Sequence, residues 1–563
     1  MSTSLFSQLD MGKRSLMAQQ AGMSTTGHNI ANVGNADYSR QKVELAAQHP
    51  VRSRFGSGVD LQGVDRVADH FLTQRVISEQ SRGGQLDVRD TTLKRLENLL
   101  NDEQGFGLRA ALNQFWSAWS ALANSPESQL QRTDLANASN ALGRRINGLY
   151  NDMESMRQEL NGRVAERVDR VNALARQIAL LNSKIQQTDH GAGEANDLRD
   201  QREAALKDLA KLVQIDWYED DKKVVNVSIG QGFPLVQARE VHPLEASHKS
   251  EESRMFSVRG LDSKGISRDL TRDLKSGELA ELVALRDDTI PRYTQRLDEL
   301  ASELAYKVNR LHATGTGLNS AVTELRSSFA LKPDARAMPL PFLRDGKFRV
   351  QLVDPANKIL ETYEVPVHAG RDTLRDIVAR INETVGDRKL VQARINQDGS
   401  VSLVAQGANR LILGDDDSEL SVLLGFNNFF ETLEGAKDIH VSERLLKNPD
   451  LISTGKGLLP GDNQVALAIQ GLQSKPSMEG DSITFDEFYN GMMADLGLMI
   501  DRSQNDKKNQ DVILNQFQKL RDEVSSVNMD EEVADMVQYQ RGFEAAAKFL
   551  STVDDMTKTV INM

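Results

Sequence analysis

Nine histidines are the residues best suited to bind a metal or move a proton near neutral pH. None belongs to a His-Glu-x-x-His or other closely spaced pair, so no zinc site is expected. Each is read as a surface or capping residue. "GDDDSE" at 414–419 gathers Asp415, Asp416, Asp417 and Glu419, a set that could attract calcium. It lacks the alternating ligands and central glycine of a helix-loop-helix calcium site, and a solvated turn is expected. "GQGFPL" at 230–235 carries two glycines of a dinucleotide fingerprint, but Leu235 takes the third place and Pro234 opposes the helix that must follow. A strand-to-strand turn is the expectation there. "STGKG" at 453–457 has no Ser or Thr after Lys456 and no upstream glycine, so it is not a phosphate loop. No Gly-x-Ser-x-Gly occurs. Distant residues can assemble a triad, but nothing in the sequence recommends one. The expectation is no enzyme, no cofactor and no metal.

Bulk properties narrow the class further. A chain of 563 residues exceeds one core, and three or four domains are expected. A net charge of −13 argues against a nucleic-acid partner. There is no eighteen-residue apolar run to span a bilayer. The N-terminus shows no basic region followed by an apolar stretch, so no secretory signal peptide is expected. Cysteine is absent, which removes disulfides and thiolate metal sites and suits a cytosolic protein or one exported by a route that tolerates no crosslinks.

The elements that remain are mostly helices. Residues 1–36 place Leu5, Leu9, Leu16, Met23, Ile30 and Val33 on one seam at heptad spacing, with Gly12 among them. Such a helix is marginal alone, because its polar face is weak and each interior glycine costs about 1 kcal/mol. Gly34-Asn35-Ala36-Asp37 breaks it, and the chain leaves through Tyr38-Ser39-Arg40-Gln41 into the alternating "KVEL". Residues 85–215 are predicted helical throughout. Leu108, Leu112, Phe115, Trp119 and Leu122 form one stripe, after which Ser125 can cap the next helix with Pro126 in its first position. From Leu142 to Ile185 the stripe implies a helix of roughly 65 Å at 1.5 Å per residue. "TDHGAGEAND" turns it into a returning helix through Leu198, Leu206, Leu209 and Val213, making an elongated αα-hairpin.

A β-rich insert is expected between Lys222 and about Gly265, and helix returns at 288–312. Residues 330–450 read as a separate α+β module. Its strands are "KFRVQLVD" and "TYEVPV", its helix "TLRDIVARIN", and its hairpin turns at Asp398-Gly399. "KPDARAMPLP" before it reads as a boundary. Ile513, Phe517, Leu520, Val524 and Val527 form another seam, followed by Met529, Met536, Tyr539, Phe543, Leu550, Val553 and Val560. Gly12, Gly22, Ala546 and Ala547 would permit close backbone approach, and the expected partner of the terminal seams is a second copy of the chain. Residues 1–36 and 528–563 are accordingly expected to order only on that packing.

With both ends in view, "NIANVGNADYSRQ" and "VNMDEEVADMVQYQRGFEAAAKFLSTVDDM" resemble the paired terminal segments of bacterial flagellar rod, hook and hook-associated proteins. Tyr-Ser-Arg-Gln at 38–41 points within that family to the hook-associated members, because hook and rod proteins usually carry an aromatic-Lys pair there. "GLRAALNQFWSAWSALANSPES", "ANDLRDQREAALKDLAKLV", "LLGFNNFF" and "GDNQVALAIQGLQ" agree with them in order along the chain. One departure is Gly34-Asn35-Ala36-Asp37, where the family commonly has Asn-Thr-Pro-Gly.

The resemblance implies a multidomain, mainly α protein, with long terminal coiled-coil helices, an elongated helical rod domain and inserted β-rich and α+β outer domains. Residues 1–40 plus 528–563 would line an inner tube. Residues 41–220, 270–330 and 455–527 would form the rod, 221–269 a small β-rich insert, and 331–454 an outer domain. The seam residues would be the subunit-assembly interface, and Tyr38, Ser39, Arg40 and Gln41 the joint between tube and rod. Function would be structural: a ring between hook and filament, exported by the flagellar type III route and located outside the cell. Partners would be copies of itself, hook protein below, the next hook-associated protein or filament side above, and an export chaperone at the C-terminal helix, without nucleic acid or membrane insertion. The competing readings are another axial flagellar component or a surface adhesin on a helical stalk.

Overall fold

The first seam folds as one helix, α1 (Ser2–Ala31), which ends where Asn32 and Asn35 make successive turns. The computed structural model describes residues 2–47, 58–101, 107–188, 195–248, 254–262, 264–318, 320–330, 338, 340, 343–386 and 390–561. After the turn, β1 (Gln41–Ala47) pairs antiparallel with β2 (Val59–Arg66), Gln41 lying opposite Arg66. Helix α2 (His70–Leu100) starts well before residue 85, because the Asp69 carboxylate accepts from the Phe71 and Leu72 N–H groups and caps it. Helix α3 (Leu108–Asn124) buries all five residues of its predicted stripe.

The expected cap at Ser125 is corrected. The Ser125 N–H closes α3 onto Ala121 and Leu122, and α4 (Gln129–Thr188) begins three residues beyond Pro126. Ser128 caps it, its Oγ accepting from the Gln131 N–H at 3.3 Å. Proline holds the residue before it away from helical geometry, so it belongs to the turn rather than to the new helix. The stripe from Leu142 to Ile185 is buried along α4, through Ile146, Leu149, Met153, Met156, Leu160, Val164, Val168, Val171, Leu174, Ile178 and Leu181. The turn read at "TDHGAGEAND" lies largely outside the described residues, and the returning helix is α5 (Asn196–Leu212).

The β insert is wider than predicted. It opens at β3 (Ile215–Glu219), which forms a sheet with β4 (Val225–Ile229), β5 (Phe233–Gln237) and β6 (Glu240–Val241). A second sheet holds β7 (Leu244–His248), β8 (Phe256–Leu261) and β9 (Ser267–Asp269). The glycine-rich stretch is the β4–β5 hairpin turn, with Gly230 and Gly232 at φ of 55° and 80°. Helix then resumes earlier than expected, at α6 (Glu278–Ala284), and passes through a π turn (Leu285–Thr289) into α7 (Ile290–His312). Pro291 supplies no N–H, and the local switch in hydrogen bonding precedes it.

The α+β module has two three-stranded sheets. One is β12 (Ile359–Val367), β11 (Gly346–Val353) and β15 (Arg410–Asp416); the other is β10 (Glu324–Arg326), β14 (Val401–Ala405) and β13 (Val391–Ile395). Thr373 and Asp376 form a capping box on α8 (Leu374–Val385), whose Leu374, Ile377 and Ile381 join the module's core. The boundary read at "KPDARAMPLP" lies almost wholly outside the described residues.

Beyond β15 come α9 (Leu420–Leu424), β16 (Phe430–Glu431), β17 (His440–Val441), α10 (Glu443–Lys447) and α11 (Gln464–Gly471). Leu420, Leu424 and Phe426 still belong to the core of the α+β module, and the stretch after them packs on helices. Phe429 lies 5.3 Å from Trp119 and Phe430 lies 5.7 Å from Phe115, ring centre to ring centre. Asn309 on α7 accepts from both phenylalanine N–H groups. His312 donates through Nδ1 to Asn427 O and accepts at Nε2 from the Ser453 N–H. Two long helices finish the chain, α12 (Phe485–Ser525) and α13 (Met529–Ile561).

Two units result, residues 1–92, 158–287 and 500–563 in one and 93–157 and 288–499 in the other. The chain is thus mainly α and multidomain, with inserted β structure.

Candidate functional site: the terminal helix pair and its joint

Within the first unit, α1 and α13 pack side by side, so the small residues expected to meet another copy meet the chain's own other end. A Cβ on Gly12 would come within 2.9 Å of the Leu550 side chain, and one on Gly22 within 2.5 Å of the Tyr539 ring. From the other side, a Cβ on Gly542 would reach Gln19 at 2.6 Å. Each glycine lets a large side chain of the facing helix lie against bare backbone, and Ala18, Thr26, Ala546 and Val553 are buried nearby. Both termini are helical here, each supplying what the other lacks, which corrects the expectation that they order only against other copies.

This pairing uses much of the predicted seam. Leu5, Leu9, Leu16, Met23, Ile30, Met536, Tyr539, Phe543 and Leu550 are half-buried, while Val33 and Val560 are exposed. The larger exposed apolar side chains are ones the seam omitted. Phe6 and Met17 share one face of α1, eleven residues apart, and are 64% and 55% exposed. On α13, Val533 and Val537 stand one turn apart, and Phe549 and Met556 follow on another face. Apolar side chains on two sides of a helix mark one built to be enclosed. That second set was readable at i, i+4 and i+7 spacing. Further exposed apolar residues, Ile513, Leu520 and Val524, lie on α12 along the seam predicted there, and Val512 is exposed beside them.

At the base of the pair sits a buried polar knot. Asn29, the polar residue between His28 and Ile30 near the end of α1, makes four hydrogen bonds. Its Nδ2 donates to Gln41 O and Glu532 Oε2, both at 2.9 Å. Its Oδ1 accepts from the Tyr38 hydroxyl at 2.7 Å and the Gln41 N–H at 3.0 Å. An asparagine side chain offers two donors and two lone pairs, so its capacity is filled and its orientation fixed. Glu532, 1% exposed, also accepts from Arg40 Nε at 2.7 Å, and Arg40 Nη1 donates to Glu531 at 2.8 Å. The Arg40 N–H donates to Ser525 O.

Ser39 and Gln41 reach α5. The Ser39 N–H donates to Asp200 at 3.1 Å, and Gln41 Nε2 donates to Asp197 at 2.9 Å. Arg66 on β2 lies 2.8 Å from Asp200 and 2.7 Å from Glu203. Tyr38-Ser39-Arg40-Gln41 therefore connects α1, α13, the β1–β2 ribbon and α5. Sequence reading singled out these four but missed Asn29 and Glu532, which stand 503 positions apart. A polar residue amid the apolar positions at the end of α1 is the signal that could have found the first.

Electrostatics fit this geometry. Burial, then the carboxylates of Asp197, Asp200 and Glu532, push the Tyr38 hydroxyl above its usual range, so it remains a donor to Asn29. Burial opposes the Arg40 charge, but Glu532 and Glu531 outweigh it and hold the guanidinium more firmly protonated. Burial raises Asp200 despite Arg66, whereas Lys207 and Arg66 outweigh burial at Glu203 and lower it. These contacts position helices.

The other chemistry-bearing stretches have structural partners. Asp416 accepts from the N–H and hydroxyl groups of Ser418 and Ser421, Asp417 from Arg349, and Asp415 from Lys456 of the "STGKG" stretch. Glu419 accepts from the Tyr306 hydroxyl at 2.7 Å. Among the described residues no cluster of three or more His, Cys, Asp or Glu side chains could hold a metal ion. No helix among them is long and apolar enough to cross a membrane.

Known proteins place these features. Residues 93–325 match the family described as Flagellar hook-associated protein FlgK helical domain, and residues 521–563 that described as Flagellar basal body rod FlgEFG protein C-terminal. Flagellar hook-associated protein 1 of Salmonella typhimurium is 25% identical over 557 residues, covering 97% of this chain and 98% of that one. Its namesake in Bacillus subtilis is 24% identical over 574 residues, covering 100% and 98%. The solved structure of the flagellar hook junction protein FlgK from Burkholderia pseudomallei shares the fold, with a TM-score of 0.52. It is 14% identical and covers 81% of this chain and all of that one.

Proposed function

We infer that this chain, which belongs to the family of flagellar hook-associated proteins, forms the junction between hook and filament of the bacterial flagellum by self-assembly of its terminal helices. It assembles with copies of itself and with hook components, and its place is the flagellum. The observation that carries the mechanism is the second apolar set on α1 and α13, Phe6, Met17, Val533, Val537, Phe549 and Met556. These side chains are outside after the two helices have paired, and burying them against a neighbour would contribute about 1.5–3 kcal/mol each.

In this reading the half-buried seam holds the two ends of one chain together, and the exposed set joins one chain to the next. Residues 38–41, with Asn29 and Glu532, fix the angle at which the pair leaves the rest of the first unit. Hook protein would sit on one side of the ring and the next hook-associated protein or filament on the other. An export chaperone would take α13 before assembly, covering its exposed apolar residues, and delivery would run through type III export to the outside of the cell. The division into tube, rod, small β insert and outer module is retained, with 427–454 moved to the helical core by the packing of Phe429 and Phe430.

Electron microscopy of a deletion strain tests this. Without the protein, cells should carry hooks and no filaments, and a plasmid copy should restore filaments. A copy bearing Val537→Asp and Phe549→Asp should be exported and leave the hooks bare. Normal filaments in the deletion strain would refute the function. Normal filaments with the double variant would refute the interface.

A further inference from the structure

The α+β module joins the helical part of the second unit through two chain crossings. The chain enters between Leu318, whose N–H donates to Asp450 O, and Val322, whose N–H donates to Leu411 O. It leaves between Phe426, in the module's core, and Asn427, whose Nδ2 donates to His312 O at 3.3 Å and Ser453 Oγ at 3.2 Å. Among the described residues that core includes none from α3, α7 or α11. Apolar contact across the boundary is slight, with Leu458 packing on Ala321, Val353 and Ile412. Beside it a cleft of about 870 Å³ separates Arg349 and Asp417 of the module from Lys307 and Arg310 of α7. A shared core would fix the module's angle by close packing. Here that task falls to polar contacts.

Two of those contacts are exposed. Lys456 meets Asp415 at 2.7 Å with both side chains more than half exposed, and Ser328 Oγ donates to Glu431 at 2.7 Å near the surface. Exposed pairs of this kind hold weakly. Glu419 differs, being only 8% exposed. Its Oε2 accepts from the Tyr306 hydroxyl on α7 at 2.7 Å. Its Oε1 lies 3.6 Å from Arg310 on α7 and 3.3 Å from Arg344 of the module. One buried carboxylate thus engages groups from both sides of the boundary.

The backbone at this residue is strained. Glu419 sits at φ 64° and ψ 14°, in the left-handed region, at the start of α9. Glycine or asparagine takes that geometry at less cost, so the turn alone does not call for glutamate. Strain of this kind persists where surrounding contacts over-determine it, and here those contacts belong to the side chain. We propose that Glu419 is a latch whose carboxylate, held by Tyr306 and Arg310, sets the angle of the α+β module on α7. Without it the module swings about the crossings at 318–322 and 426–427 while both bodies stay folded. The cleft supplies the room for that swing on one side.

The test uses the full chain, which has no cysteine of its own. Gln295→Cys on α7 and Gln392→Cys on β13, both at exposed positions, place one spin label on each body. Double electron–electron resonance should give a narrow distance distribution for this parent. Glu419→Gly keeps the left-handed turn and removes the carboxylate, and Tyr306→Phe removes only the hydroxyl. Each should broaden the distribution about twofold, whereas Lys456→Gln, at the exposed pair, should change it little. Thermal unfolding of all three should stay within a few degrees of the parent. If Glu419→Gly unfolds the module, Tyr306→Phe carries the test; unfolding by both would make Glu419 part of the module's own fold and overturn the latch. A broad distribution in the parent, an unchanged one in the folded variants, or equal broadening by Lys456→Gln would overturn it too.

Discussion

Replacing Asn29 by alanine removes four hydrogen bonds from a site closed to solvent. Glu532 retains Arg40, so the groups stranded outright are the Tyr38 hydroxyl and the N–H and C=O of Gln41. Each buried group left unpaired costs about 1–3 kcal/mol, and a water entering the vacated space recovers part of that. The expected loss is about 3–5 kcal/mol, concentrated where α1 and α13 meet β1. Hydrogen exchange on the purified chain should then show Leu9–Ile30 and the first turns of α13 opening faster, by about a hundredfold or more. Asn29→Asp makes the test sharper. Its new oxygen would stand where the amide now donates to Glu532 at 2.9 Å, and two carboxylates in contact cannot both stay charged. The introduced group's folded pKa is therefore raised, so its contribution is intact at low pH and is lost as pH rises through that value. The aspartate variant should be closer to the parent near pH 5 than near pH 8, a dependence the alanine variant lacks. A deficit under about 1 kcal/mol for Asn29→Ala, with unchanged exchange in α1, would refute the knot as what orders the terminal pair.

Val553→Asp, at a buried position facing the helix pair, should lower the melting temperature, whereas Val537→Asp, at an exposed one, should block assembly and leave melting nearly unchanged; the reverse pattern in calorimetry and filament counts would exchange the two faces. His312 is held neutral by burial, its pKa lowered to about 4, and the sign follows from the protonated form being favoured in the unfolded chain. Stability should be full above about pH 6.5 and decline below it, by about 2 kcal/mol at pH 5, and His312→Gln should flatten that slope in denaturant titrations. A chain ending at residue 528 should lose helical circular dichroism beyond the missing residues, because α1 has nothing else to enclose its apolar seam; protection of Leu9–Ile30 that survives the truncation would contradict this. Deleting 346–416 should leave the helical part of the second unit folded, since the Arg344 N–H already meets Ser418 O at 3.1 Å and a short linker closes the gap. Deleting 335–450 should unfold it by removing Phe429 and Phe430 from Trp119 and Phe115, and equal melting of the two deletions would argue against that assignment.

Local periodicity in the sequence determined most of the secondary structure. The stripe from Leu142 to Ile185 specifies a continuous helix because apolar residues three and four apart share one face whatever lies opposite. Alternation in "KFRVQLVD" and Asp398-Gly399 between two strands specify a hairpin-rich module for the same local reason. Boundaries were less legible, as at Ser125 and Ser128, where two serines flank one proline and only the path of the chain decides which caps a helix. The terminal motifs also pointed to the flagellar hook-associated proteins that this chain is similar to, since residues 29–41 and 527–556 carry their pattern. Periodicity describes an element's faces but not their occupants. Two apolar sides on α13 could each have met another copy; Gly12 and Gly22 set the seam against Leu550 and Tyr539 of the same chain and left Val537 and Phe549 outside. Phe429 and Phe430 follow a run of strands, yet they belong to the aromatic core of α3. Asn29 and Glu532 have no signal of their pairing within either segment, because a hydrogen bond across 503 positions exists only once both helices are in place. Hydrogen-bond capacity and steric fit act through space, and in this protein they decided which apolar face is closed within the chain and which remains exposed.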